Sequence, residues 1–304
     1  MTLPLILIGY GDIARRVAER HPDHPIITLA RRPARAPAGH RASWQSLVCD
    51  LDRDTIPVQS LPEAALWLYF APPPAQGLED SRLQRWLTEA GQGGTPRQLI
   101  YASTTAVYGD VGGAWVDEHS PAAPQHDRGR RRLDAEQRSQ RFGAARGVPL
   151  AILRITGIYA CDRLPLDKIR AGTAIVCPED APWSNRIHAE DLAEIYGRLI
   201  ARAEQGAPVT GVFNVSDGDP QPMSMLYLRT AAHFGLAPPP CRPLAEVLAS
   251  ASPMSREFLS ESKRVRAQAI RQALDWQPRY PNLEAALKDC PPDPSGSGAA
   301  PNRR

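Results

Sequence analysis

The first residues able to do chemistry stand at the start of the chain, where Gly9-Tyr10-Gly11-Asp12-Ile13-Ala14 joins a short apolar run to a helical pattern. The spacing is G-x-G-x-x-A. The first glycine permits a tight turn, the second lets the backbone approach a pyrophosphate, and Ala14 is small enough for a helix to pack closely on a sheet. The N–H groups and positive dipole end of that helix would face the phosphates, so Gly9, Gly11, Asp12 and Ile13 are the expected phosphate-side contacts. Arg31 lies 22 residues after Gly9, with Arg32 beside it, where an NAD-selective domain carries an Asp or Glu for the ribose 2′-hydroxyl. A carboxylate there would repel a 2′-phosphate, whereas paired guanidiniums can clamp one. The expected cofactor is therefore NADP, with NAD as the alternative. Asp50-Leu51 and Ala71-Pro72 follow the third and fourth apolar runs and are read as further cofactor contacts. The plainer alternatives are a structural turn and solvated arginines in an arginine-rich chain.

Those residues need a scaffold, and the hydrophobic periodicity supplies one. Short apolar runs at 3–8, 25–30, 46–49, 65–70, 98–103 and 149–154 alternate with helical patterns at 12–20, 78–90 and 130–142. Strand–helix alternation implies right-handed crossovers and a parallel, doubly wound α/β sheet of the Rossmann type, covered on both faces. A helix over 189–203 and a strand over 209–215 are expected to return to that sheet. The domain reading is a dinucleotide-binding domain over 1–154, joined by 186–215, and a smaller C-terminal substrate domain from 155–185 and 216–288. The Pro/Gly/Ser/Ala-rich stretch 291–304 reads as a disordered tail.

Composition narrows the function. A formal net charge of +3 over 304 residues argues against nucleic acid or an anionic membrane as a partner. No apolar stretch approaches the ~18 residues of a membrane span, and residues 3–8 lack the flanks of a signal peptide. Five scattered cysteines with no Cys-x-x-Cys pair suggest neither a disulfide framework nor a zinc site, which fits a reducing cytosol. No metal is expected. The expected partner is a small-molecule substrate, and a homodimer is left open.

Further motifs follow in order: Tyr101-Ala102-Ser103-Thr104-Thr105-Ala106-Val107-Tyr108-Gly109, Ile152-Leu153-Arg154-Ile155-Thr156-Gly157-Ile158-Tyr159, Arg186-Ile187-His188-Ala189-Glu190-Asp191, Phe213-Asn214-Val215 and Leu274-Asp275-Trp276. In this order and spacing the chain resembles the extended, atypical short-chain dehydrogenase/reductase superfamily, its NAD-dependent epimerase/dehydratase family, and within it the YeeZ-like branch. The resemblance spans about residues 3–288. It implies that Thr104 is the hydroxyl that hydrogen-bonds the substrate oxygen. It also implies a Tyr-x-x-x-Lys pair on the next helix, but alignment on Arg132-Leu133-Asp134-Ala135-Glu136 puts Arg128 at the tyrosine place and Arg132 at the lysine place. An arginine can hold charge but cannot shuttle a proton at neutral pH. Arg128 and Arg132 are accordingly read as cationic groups of the catalytic site.

The function implied is an NAD(P)-dependent oxidoreductase or epimerase-like enzyme acting on a small polar or nucleotide-sugar-like substrate. The alternative, supported by the lost pair, is a non-catalytic NADP(H)-binding sensor or partner subunit. Tyr108 and Tyr159 are read either as nicotinamide-facing or as packing residues, and His188 as a structural histidine.

Overall fold

The computed structural model describes residues 2–291. Its centre is a seven-stranded sheet made of β1 (Leu5–Ile8), β2 (Ile26–Ala30), β3 (Trp44–Val48), β4 (Leu66–Tyr69), β5 (Gln98–Thr104), β6 (Leu150–Ile155) and β7 (Gly211–Val215). The spatial order is β7-β6-β5-β4-β1-β2-β3, and every neighbouring pair is parallel. This is the doubly wound Rossmann-type arrangement. Strand order reverses at β1, which lies between β4 and β2. In such sheets, ligands bind beyond the carboxyl ends of the strands at this switch point.

Side-chain alternation explains why the strands read as continuous apolar runs. Leu5 and Leu7 pack into one core with Val17 and Leu192, while Ile6 and Ile8 enter the opposite core with Leu83 and Trp86. Two buried faces leave no polar register in the strand. The helices covering these faces are α1 (Asp12–Arg20), α2 (Ser81–Gly93), α3 (Asp127–Arg146) and α4 (Ala189–Glu204). β7 pairs with β6 and completes the sheet edge.

Local chemistry moved several boundaries. α2 begins at Ser81 rather than 78, because the Asp80 carboxylate caps it by accepting from Leu83 N at 3.0 Å. α3 is longer than expected at both ends. Its buried positions are Gly129, Arg131, Ala135, Glu136, Ser139 and Gly143, so its inward face is small or polar and carries little hydrophobic signal. A Cβ on Gly129 would stand 2.7 Å from Ala106 O, so glycine is what lets α3 approach the turn after β5. β3 is a half-exposed edge strand and begins at Trp44, two residues earlier than its apolar pattern suggested.

The cysteine expectation is corrected. Cys161 pairs with Cys290 (Cα–Cα 5.3 Å) and Cys177 with Cys241 (Cα–Cα 4.7 Å), leaving Cys49 buried and free. The partners are 129 and 64 residues apart, beyond the reach of a local spacing rule. The argument for a reducing cytosol loses its basis with them. Among the described residues, no helix is long and apolar enough to cross a membrane. The expected tail lies outside the described residues apart from Pro291.

Candidate active site

Two cavities meet beyond the carboxyl end of the sheet. The first, about 1010 Å³, lies at the switch point, and all ten residues singled out from the sequence as cofactor contacts line it. Gly9 ends β1 with φ +89°, and a Cβ there would stand 2.5 Å from Ala71 N, so the turn fits against β4 only without a side chain. Gly11 differs. A Cβ on it would meet nothing within 4 Å, and its φ of −109° suits any residue. Beside Gly11 there is open space, and the first-turn N–H groups of α1, which have no intrahelical acceptor, stand at the same place. A glycine cradle, a helix N-terminus and a large cavity together fit a dinucleotide pyrophosphate.

The side chains lining this cavity differ in how they are engaged. Arg31 and Arg32 follow β2, are exposed, and form no ion pair among the described residues. Asp12 is fully engaged: Arg15, Arg16 and Arg163 all donate to its carboxylate at 2.9–3.0 Å. Burial opposes its charge, but these arginines outweigh it and hold its pKa below the usual range. Asp12 therefore offers the cavity its backbone rather than its carboxylate. Asp50 Oδ1 accepts from Asp52 N at 3.0 Å. Arg82, which the sequence reading did not single out, also lines the cavity; it donates to Asp52 and to Pro72 O at 2.9 Å.

The second cavity, about 750 Å³, opens between the sheet and the C-terminal segments. Thr104, Thr156, Ile158 and Arg163 line both cavities and mark the junction. Thr104 ends β5, and its Oγ1 accepts weakly from Ala106 N at 3.4 Å, leaving its own proton uncommitted. Thr156 Oγ1, by contrast, donates to Val215 O at 2.9 Å. The two arginines of α3 diverge. Arg132 lines the first cavity and donates to Tyr101 Oη (3.1 Å) and Ala102 O (2.8 Å). Arg128 lines the second, 3.4 Å from Glu257 and 4.2 Å over the Phe258 ring. Neither fills the role of a proton-shuttling tyrosine.

Beneath Thr104 lies a buried polar chain. Ser103 Oγ donates to Glu136 at 2.5 Å, Arg154 donates to the same carboxylate at 2.7 Å and to Tyr108 Oη at 3.0 Å, and Tyr108 donates to Asn214 at 2.8 Å. Satisfied in this way, the chain locks the end of β5 in place. Tyr108 belongs to this chain, Tyr159 donates to Asn282 O at 3.2 Å, and neither lines either of these two cavities, which favours packing roles for both. His188 caps α4 by accepting from Glu190 N at 3.2 Å and packs against Tyr159 and Tyr280. Burial pushes its imidazole down to about 4, so it sits neutral. Asp191 accepts from the backbone N–H groups of Arg279 and Tyr280, both at 2.9 Å, and ties the C-terminal segment to α4.

Charge in the second cavity is one-sided. Arg128, Arg163, Lys168, Arg186 and Lys263 line it against the single carboxylate of Glu261. Two of these, Lys168 and Arg186, form no ion pair among the described residues, and Arg186 donates to Met223 O at 3.3 Å. Asp217, the acid whose charge acts on Arg186, is pushed up to about 8 by burial and is mostly protonated at neutral pH. Apart from Arg128, the sequence reading picked out none of these cations as site residues.

A parallel doubly wound sheet with the G-x-G-x-x-A turn at its switch point, and a threonine at the end of β5 between two cavities, defines a dinucleotide-binding-type fold with a second cavity attached. The chain has the fold of NAD-dependent epimerase/dehydratase-type structures of the extended short-chain dehydrogenase/reductase kind. It is 31% identical to a functionally unknown conserved protein from Silicibacter pomeroyi, covering 94% of this chain and 97% of that one at a TM-score of 0.74. The fold also matches a UDP-N-acetylglucosamine 4-epimerase from Bacillus cereus (16% identity, 95% and 98% covered, TM-score 0.69). It matches as well a dTDP-glucose 4,6-dehydratase from Bacillus anthracis in complex with NAD (12% identity, 95% and 93% covered, TM-score 0.71). No family model and no curated protein matches the chain.

Proposed function

We propose that this chain, as a member of the YeeZ-like branch, is an NADP-dependent oxidoreductase or epimerase-like enzyme acting on a small, polar, anionic substrate. The observation that carries the reading is Thr104. Of the four residues shared by the two cavities, it alone presents a hydroxyl whose proton is uncommitted. The dinucleotide supplies hydride transfer when bound. The chain's own residues do the rest: the turn at Gly9 and Gly11 holds the pyrophosphate, Arg31 and Arg32 the 2′-phosphate, and Arg132 a rigid positive wall beside Thr104. Four cations of the second cavity, Arg128, Arg163, Lys168 and Arg186, attract an anion and align it against that hydroxyl, while Lys263 is neutralised by Glu261. The names of structurally similar enzymes, which act on UDP- and dTDP-sugars, support an anionic, nucleotide-sugar-like substrate. The proton passes through Thr104 and water or through the substrate itself, because neither arginine can release one.

The test is turnover of NADPH, or of NADP⁺ in reverse, against a panel of phosphorylated and carboxylated sugars and ketones. Thr104→Val keeps the side-chain shape and should lower kcat about 10²-fold or more with unchanged NADPH affinity. Full activity in Thr104→Val removes the role given to the hydroxyl. NADPH binding without turnover of any panel member favours the alternative, a non-catalytic sensor or partner subunit.

A further inference from the structure

Within the second cavity one pair of residues is left unexplained by charge alone. Glu261 and Lys263 both line it and are only 7% and 6% exposed. Lys263 Nζ donates to Glu261 Oε2 at 2.7 Å, while Glu261 Oε1 is buried with no partner. An ammonium carries three donors, so two are unspent, and the carboxylate keeps one oxygen unspent. Taking an ion pair out of water is costly unless its remaining lone pairs and protons are satisfied. A pair built only for stability would have them satisfied from within the fold. This one is unsatisfied in the wall of a cavity.

The segment bearing it is held firmly. Asn185 Nδ2 donates to Lys263 O at 2.9 Å and its Oδ1 accepts from Val265 N at 2.8 Å, fixing the backbone just after the lysine. Ser262 O accepts from Gly113 N at 2.9 Å, and Ser262 Oγ accepts from Trp183 N at 3.0 Å. Ser224 Oγ, also buried and without a partner, lines the same cavity. Residue choice agrees. Of the chain's 36 basic residues only Lys168, Lys263 and Lys288 are lysines, and two of the three line this cavity. Where arginine is the rule, a lysine retained beside a carboxylate points to a need for a compact ammonium rather than a planar fork.

What such a pair accepts follows from its open valences. An incoming group must give a proton to Oε1 and accept one from Nζ. An anion would be repelled by Glu261, and a cation by Lys263 and the four other cations. A hydroxyl meets both demands. Resting on the reading of this cavity as the substrate site, we infer that Glu261 and Lys263 form a preorganised subsite that reads the hydroxyls of a glycosyl or polyol part of the anionic substrate.

Two probes separate this proposal from the reading beneath it. Glucose 1-phosphate and cyclohexyl phosphate share a six-membered ring and a phosphate and differ in the hydroxyls, the hydroxymethyl group and the ring oxygen of the sugar. Both are titrated calorimetrically into the full-length protein at saturating NADPH. The expected result is that glucose 1-phosphate binds about tenfold tighter or better. In Glu261→Gln/Lys263→Met that preference should collapse to near parity, with cyclohexyl phosphate affinity unchanged. The double variant removes both charges together and so leaves neither buried alone; its melting curve checks the fold. Should it fail to fold, Lys263→Arg keeps the charge, changes the donor geometry and should also lose the preference. A preference that survives these variants, or that is absent from the wild type although cyclohexyl phosphate binds, overturns the subsite. If neither phosphate binds, the anionic-substrate reading falls and takes the subsite with it.

Discussion

Removing Arg31 and Arg32 puts the cofactor preference to a direct test. Both side chains are exposed, line the first cavity and have no ion-pair partner to release, so their guanidiniums reach a 2′-phosphate without breaking an internal contact. A hydrogen bond to a charged group contributes about 1.5–3 kcal/mol, and solvent exposure places these two at the lower end. Arg31→Ala and Arg32→Ala together should then cost about 3 kcal/mol, on the order of 10²-fold in Kd for NADPH. NADH lacks the 2′-phosphate and should bind as before, since the glycine turn and the α1 N-terminus are untouched. Added salt should weaken NADPH more than NADH in the wild type and should lose that distinction in the double variant. Arg82 lines the same cavity but is committed to Asp52, so it is a poor substitute. Calorimetric titration of both cofactors into wild type, single and double variants reads every arm. Equal wild-type affinities for NADPH and NADH, or a preference that survives in the double variant, would refute the reasoning.

The two glycines of the turn should separate binding from folding. Gly11→Val points its side chain into open space at a permissive φ, so the melting temperature should hold while NADPH binding is lost; a folded variant with normal binding would show the cradle to be misplaced. Gly9→Ala drives a Cβ to 2.5 Å from Ala71 N at φ +89° and should cost roughly 2 kcal/mol or more of stability, read by denaturant titration. His188 should make the fold acid-sensitive. Its folded-state pKa is depressed to about 4 from 6.5, so its contribution is complete above pH 6.5 and lost as pH falls towards 4. Unfolding free energies from urea titrations at about pH 7 and about pH 5 should differ by about 2 kcal/mol through this group. His188→Asn, which keeps an acceptor for the α4 cap, should flatten that part of the slope and leave the part owed to His21, likewise pushed down to about 4 by burial. An unchanged slope would remove His188 from the account.

What the sequence determined by itself is whatever short-range periodicity and local stereochemistry encode. β1, the G-x-G-x-x-A turn and α1 form one continuous stretch from Leu5 to Arg20, in which the apolar run, the glycines and the amphipathic helix each act on near neighbours. Parallel strands buried on both faces leave an unbroken apolar signature, and so the sheet was legible, whereas the strand order and its switch point appear only in the structure. Thr104 was singled out only through the family resemblance, and the structure places it at the end of β5 on the wall shared by both cavities. α3 was read only in part, because its buried face is glycine, alanine, serine and charge rather than a hydrophobic stripe. Tertiary structure alone decided the rest. It brought together cysteines 129 and 64 residues apart, sent Arg128 and Arg132 to different cavities, and drew Tyr108 into a buried hydrogen-bond chain. It also placed Arg163, Arg186, Glu261 and Lys263 around one cavity. The physical reason is range: pattern and propensity report on a residue's neighbours along the chain, whereas a cleft is assembled from segments that approach only after the sheet has closed and the C-terminal elements have packed against it.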